Sequence, residues 1–216
     1  MTLFWSWLLL ALIQMAATVS PGPAFIVGIR NAIIYGRNIG IATGIGLGLG
    51  VATHIIIVFT GIAFLISQSY IAYNIIKYIG AIYLVYIGFK CLNSAYKSFK
   101  KPSKENIKIT QDNKLNSKTF AQGLVEGFFT NILNPKAILF FSSVFSQFIS
   151  TETPVTIMIL FGMTSVFIET GWYIIVSILL TNKFIQAKFL SITHWIDTLF
   201  GFLVIFLGIR LAIHNL

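Results

Sequence analysis

The sequence predicts an all-α integral membrane protein of six transmembrane helices, arranged as two inverted three-helix repeats. Three observations carry that reading. Hydrophobic residues make up 56% of the 216 positions and charged residues only 10%, with mean hydropathy +0.86; an ordinary soluble domain carries about 25% charge. Six stretches reach the roughly 20 apolar residues that a helix needs to cross a bilayer. Features of the first three stretches recur, in order, in the last three.

The six stretches are residues 3–28, 40–66, 70–91, 120–149, 154–180 and 192–213. The first has no basic segment before it and runs into Pro21-Gly22-Pro23, so it reads as a retained span and not a cleaved leader. Arg30 and Arg37 follow the first span, a lysine-rich stretch follows the third, and Lys183 and Lys188 follow the fifth. The connectors after spans two and four are short and hold no Lys or Arg; the second has Glu152. Positive loops stay inside, so the odd-to-even connectors are expected in the cytoplasm, with both termini outside.

The net charge of +9 invites a nucleic-acid reading, but seven of the fifteen basic residues fall between Lys97 and Lys118. A basic block beside runs of membrane length is a topology signal, and no nucleic-acid partner is expected. With Pro102, Asn106, Asn113 and Asn116, the block reads as a cytoplasmic linker. The chain then divides into a first repeat at 1–96, a basic linker at 97–119 and a second repeat at 120–216. A single cysteine, Cys91, excludes an intrachain disulfide, and no zinc-like Cys/His spacing occurs, so neither metal nor cofactor is expected. The spans hold no paired Ser/His, no paired Asp and no His/Glu metal set, which argues against an intramembrane enzyme.

The halves echo each other. Ser20-Pro21 with Ala24-Phe25 parallels Asn134-Pro135 with Ala137-Ile138. Tyr86-Ile87-Gly88-Phe89-Lys90 parallels Phe206-Leu207-Gly208-Ile209-Arg210. His54 follows Gly50 in span two, and Glu169 precedes Gly171 in span five. Three spans per half is odd, so the second half must insert upside down, the plan of many secondary transporters. There, Gly/Pro-interrupted spans at corresponding positions frame the substrate site, and here those are spans one and four. Proline lacks an amide hydrogen, so Pro21, Pro23 and Pro135 each free a carbonyl one turn earlier. In lipid such carbonyls need a neighbour, water or a ligand.

These residues resemble the lysine exporter (LysE/RhtB) superfamily, in particular its homoserine/threonine exporter branch. The matching positions are Ser20-Pro21-Gly22-Pro23, Arg30-Asn31, Gly36-Arg37, and the glycine-rich second span with His54. Gly80-Ala81-x-Tyr83-Leu84-x-Tyr86-x-Gly88 also matches, as does Gly127-Phe128-x-Thr130-Asn131-x-x-Asn134-Pro135-Lys136-Ala137, closed by Gln147-Phe148. The resemblance spans essentially the whole chain. It implies a bacterial cytoplasmic (inner) membrane protein of six spans that exports amino acids against protons. Ala24 departs from the acidic residue that relatives often carry after Pro-Gly-Pro.

An amino acid presents an ammonium and a carboxylate, so its site needs acceptors for one and donors for the other. Around the first break, Thr18, Ser20, Pro21, Gly22 and Pro23 are the candidates for substrate binding. Around the second they are Asn131, Asn134, Pro135 and Lys136. The plainer readings are hydroxyl back-bonding for Thr18 and Ser20 and helix-to-helix bonding for the asparagines.

Ionisable groups deep in a span default to function. Glu169 and Lys136 lie near mid-span, where they would either pair across the bundle or divide the work, Glu169 taking a proton and Lys136 the substrate carboxylate. His54 is a second candidate for the coupling proton, because imidazole titrates near neutral pH; a neutral histidine bonded between helices is its structural alternative. Glu126, two turns into span four, is placed to guard the cytoplasmic mouth. Lys77, Asp197 and Arg210 lie near span ends, where snorkelling is the default.

Gly40, Gly44, Gly48 and Ala52 form one small-residue stripe and Gly46 with Gly50 a second. Both read as helix packing, within the chain or in a homodimer. Trp5, Trp7, Trp172 and Trp195 read as interface anchors or lipid filler. A different cargo on the same scaffold, a basic amino acid or a divalent metal cation, is the alternative to a small neutral amino acid. The topology has a direct test: a single cysteine near Lys104, in a Cys91-free background, should resist an impermeant thiol reagent in intact cells. Labelling from outside would invert the orientation.

Overall fold

The computed structural model describes residues 3–20, 22–68, 70–100, 117–149, 153–180 and 182–213. Pro21, Glu152, linker residues 101–116 and the side chains of Lys77 and Asp197 lie outside the described residues. The described residues form eight α-helices: α1 (Leu3–Val19), α2 (Pro23–Ile34), α3 (Arg37–Gln68), α4 (Tyr70–Lys100), α5 (Phe120–Ile132), α6 (Pro135–Phe145), α7 (Val155–Leu179) and α8 (Lys183–Ile213).

Two of the six stretches are broken. The α1/α2 pair bends by 61° and the α5/α6 pair by 59°, each across a short gap. Local chemistry explains both. Pro23 and Pro135 stand at the start of α2 and α6, where a missing N–H costs no intrahelical bond. Asn134 caps α6, its Oδ1 accepting from the Lys136 amide at 3.0 Å. Thr119 opens α5 through a capping box with Gln122.

The segment Arg37–Gly61 of α3 and all of α7 are long and apolar enough to cross a membrane, and the two bent pairs raise the number of candidate spans to four. The helices α4 and α8 each run 31 residues, longer than the stretches read from hydropathy. No Gly or Pro interrupts the chain from Phe89 to Lys101 or from Asn182 to Phe200, so nothing local stops either helix at the end of its apolar run. As a result α4 enters the linker stretch as far as Lys100.

Polarity is inverted relative to a soluble fold. Ile82, Leu133, Phe167 and Leu199 are among many large apolar side chains on the outside, while Gln14, Thr18, Asn31, His54, Asn131, Ser165 and Glu169 are buried. This is the distribution that lipid as solvent selects.

Glycine sets how close the helices come. The helix α3 is sandwiched between α5 and α7. A Cβ on Gly44 would sit 2.7 Å from Tyr173 Cβ, and one on Gly40 2.5 Å from Ser177 Oγ, both on α7. One on Gly50 would sit 2.6 Å from Asn131 Cβ on α5, and Gly46 and Gly127 face the partner backbone even more closely. Both stripes are therefore occupied within the chain, so they offer no surface for a homodimer. The residue pairing also fixes direction: α3 runs parallel to α5 and antiparallel to α7. The helices α4 and α8 cross antiparallel, Gly88 meeting Gly201 and Ile205 while Gly208 meets Ala81 and Val85.

Substituting Gly46 or Gly127 by Ala should therefore destabilise the protein by about 1–3 kcal/mol through forced helix separation. Gly171, where an added methyl meets nothing within 4 Å, should tolerate Ala with no loss or a gain of up to about 1 kcal/mol. Thermal unfolding in detergent micelles measures the difference.

Candidate functional site

The two breaks face one cavity. Its walls come from α1 (Gln14, Thr18), the first break (Ser20, Gly22), the α5/α6 break (Asn131, Asn134, Lys136), α6 (Phe140, Phe141) and α7 (Glu169, Tyr173). The cavity is small, about 40 Å³, with room for on the order of three waters.

Glu169 is 5% exposed. Its Oε2 accepts from Thr18 Oγ1 at 2.5 Å and from Gln14 Nε2 at 3.4 Å, and Gln14 also donates to Thr18 Oγ1 at 3.2 Å. Lys136, in the first turn of α6, donates from Nζ to Ser20 Oγ at 2.8 Å and lies 4.9 Å from the Phe200 ring centre. Its side chain runs across Gly22, where a Cβ would be in ordinary contact at 3.5 Å. Each charge is thus anchored to the first broken pair, Lys136 from α6 and Glu169 from α7. Neither hydroxyl back-bonds as the plainer reading expected: Thr18 serves the carboxylate and Ser20 the ammonium.

The breaks are serviced from outside their own helices. An unbroken helix would pair Asn131 O with the amide of residue 135, which is proline. Instead that carbonyl receives Asn134 N at 2.9 Å and His54 Nε2 at 3.0 Å. A carbonyl only accepts, so His54 Nε2 carries the hydrogen. His54 also stacks on Phe141 with ring centres 5.9 Å apart, and it stands behind the cavity wall without lining it. Its structural alternative, a histidine bonded between helices, is the geometry observed. On the other pair, Tyr173 OH reaches Thr18 O at 3.4 Å. Gln14 and Tyr173 were missed in the sequence: a polar residue in an apolar helix is a weak signal without its partner.

Asn131 makes the expected helix-to-helix bond, Nδ2 to Leu47 O at 3.0 Å. Asn134 spends its Oδ1 on the α6 cap. Pro23 and Pro135 shape the breaks without lining the cavity, and Pro21 lies outside the described residues. Trp7 is no lipid filler; its Nε1 donates to Thr164 Oγ1 at 2.9 Å and ties α1 to α7.

Glu126 stands apart, in a cluster at the Arg30 end of the bundle. It accepts from Asn31 Nδ2 at 2.6 Å, pairs with Lys118, and lies 4.0 Å from Arg30. Asn31 also donates to Thr43 on α3 at 2.9 Å, and Lys118 rests over the Tyr35 ring. The cluster joins α2, α3 and α5 where the linker enters.

Broken helices around a buried cavity with charges of both signs define a class: a multi-pass helical membrane protein with a polar site at its breaks. The chain belongs to the LysE type translocator family, whose model matches residues 15–215. It is 30% identical over 201 residues to an uncharacterized membrane protein of Vibrio cholerae, covering 86% of this chain and 93% of that one. It is 27% identical over 208 residues to the threonine efflux protein of Escherichia coli K12, covering 95% and 97%. The threonine efflux protein of Escherichia coli O157:H7 matches to the same extent. No solved structure matches the chain at a significant level.

Replacing His54 by Leu withdraws a donor from the carbonyl freed by Pro135 and should cost about 1–3 kcal/mol of stability. Tyr173→Phe should cost less, because its hydroxyl bond is long. Unfolding midpoints in micelles would rank the two.

Proposed function

We propose that the chain exports small neutral amino acids, threonine-like or homoserine-like, from the cytoplasm across the bacterial inner membrane in exchange for protons. One observation carries this reading: Glu169 and Lys136 line a single small cavity at the two helix breaks. A zwitterion complements that arrangement. Its ammonium suits Glu169 and the Thr18 hydroxyl, and its carboxylate suits Lys136 Nζ and the positive end of α6. The cavity's size favours a short side chain. Membership of a translocator family and likeness to a threonine efflux protein support both the substrate class and the outward direction.

The six-span inverted repeat belongs to the same proposal, with α1/α2, α3 and α4 as one repeat and α5/α6, α7 and α8 as the other. Matching bends of 61° and 59° support it. So does the α4–α8 crossing, where contact positions correspond at a constant separation of 120 (81 to 201, 85 to 205, 88 to 208). A donor from α3 serves the second break and a donor from α7 serves the first, a further correspondence. With the lysine-rich linker cytoplasmic, both termini lie outside.

Of the three coupling candidates, Glu169 alone lines the cavity. His54 is engaged by a backbone carbonyl, and Glu126 by Lys118, Asn31 and Arg30. A carboxylate that meets water from each side in turn, and the substrate ammonium in between, couples export to proton entry. Glu169→Gln keeps the shape and removes the titration. In proteoliposomes this variant should lose net transport driven by a pH gradient while retaining exchange of substrate for substrate. Uphill transport driven by the gradient in the variant would assign Glu169 a structural role.

A further inference from the structure

Among the described residues, none of the cavity wall comes from α4 or α8, yet both helices act on the cation that stands in it. Lys136 Nζ lies over the ring of Phe200 on α8, 4.9 Å from its centre. That is inside the roughly 6 Å over which the negative face of an aromatic ring attracts a cation. Phe200 is fully buried, so water does not weaken the attraction. The same Nζ donates to Ser20 Oγ at 2.8 Å, and the lysine stem passes Gly22, where a Cβ would lie 3.5 Å from it. Ser20 Oγ in turn lies 3.9 Å from Cys91 Sγ on α4. The residue after Phe200 is Gly201, at the α4–α8 crossing, where an added Cβ would sit 2.9 Å from Gly88 O and 2.8 Å from Leu92 Cγ. Both groups that hold the ammonium are therefore backed by one close helix crossing.

We propose that Phe200 is a positioning residue for substrate binding, its ring face holding Lys136 Nζ at the cavity wall before the substrate carboxylate arrives. This rests on the amino acid reading above and deepens it. Phe200 does not line the cavity, so it acts only through Lys136. A lysine ammonium is a point charge on a flexible stem, and an arriving anion must order that stem unless something already has. Ring and hydroxyl together supply that order in the empty site. The choice of a ring also matters electrostatically. A carboxylate in its place would cancel the charge and compete with the substrate, whereas a ring face attracts the cation and leaves its charge uncompensated. The α4–α8 crossing thereby sets the position of the group that takes the substrate carboxylate.

Replacing Phe200 by a series of progressively fluorinated phenylalanines tests this, because ring fluorines withdraw the negative charge of the face and leave the shape nearly unchanged. Exchange of a small α-amino acid such as threonine is followed in proteoliposomes. The half-saturating concentration should climb through the series, by roughly two- to thirty-fold at its end, while the maximal rate stays within about two-fold of the unmodified protein. Phe200→Leu keeps most of the bulk and loses the face, so it should weaken half-saturation as the most fluorinated ring does. If that variant does not fold, the fluorinated series decides alone. A half-saturating concentration that stays flat across the series overturns the inference. So does a falling maximal rate with unchanged half-saturation, the signature of a packing role. Either result leaves amino acid transport standing. Absence of exchange of any α-amino acid by the unmodified protein would remove the transport reading and this inference with it.

Discussion

The structure depends on one constraint: in lipid, a backbone carbonyl without its helical partner must be given another. Pro135 frees Asn131 O, and the end of α1 at Val19 leaves Thr18 O without its helical partner, both inside the bundle. The fold answers with donors from neighbouring helices, His54 for Asn131 O and Tyr173 for Thr18 O. Serving these carbonyls requires α3 and α7 to pass close to the breaks. Their polar residues His54, Glu169 and Tyr173 accordingly face inward.

Close passage is possible because glycine removes the side chains that would hold the helices apart. The helix α3 has two glycine faces, one on α7 and one on α5, so a single helix locks both halves together. Dispersion and short polar bonds take over the role that hydrophobic burial has in water, since lipid tails offer the outer leucines and phenylalanines as good an environment as the interior does. The phenylalanine-rich cluster of Phe140, Phe141, Phe145 and Phe161 fills one end of the bundle. A smaller one, with Phe25, Ile29, Val176 and Leu180, and the Glu126 cluster close the other. The cavity lies among these elements, at the breaks.

A carboxylate and an ammonium are held in that cavity by different helices, each braced by a hydroxyl from the first broken pair. Thr18 and Ser20 flank the end of α1, so any change in the bend at the break shifts both anchors together. Two hydrogen-bonded groups, Glu169 with Thr18 and Gln14 and Lys136 with Ser20, thus meet the end of α1 from opposite helices.

Much of this was legible in the sequence. Hydropathy marked the six stretches, Pro21-Gly22-Pro23 and Asn134-Pro135 marked the breaks, and the glycine spacing marked close packing. The depth of Glu169 and Lys136 singled them out before any contact was known. Span ends were less legible, because α4 and α8 continue past their apolar runs and hydropathy reports solvent rather than hydrogen bonding. The sequence by itself determined composition, periodicity and where helices must break, since these follow from local chemistry and the cost of polar groups in lipid. Only the tertiary structure decided which polar residue meets which. It set His54 behind the cavity wall, Glu126 at the far end of the bundle, and Gln14 and Tyr173 at the site. Pairing between helices 77 to 155 residues apart depends on their rotation and register, which no local pattern encodes.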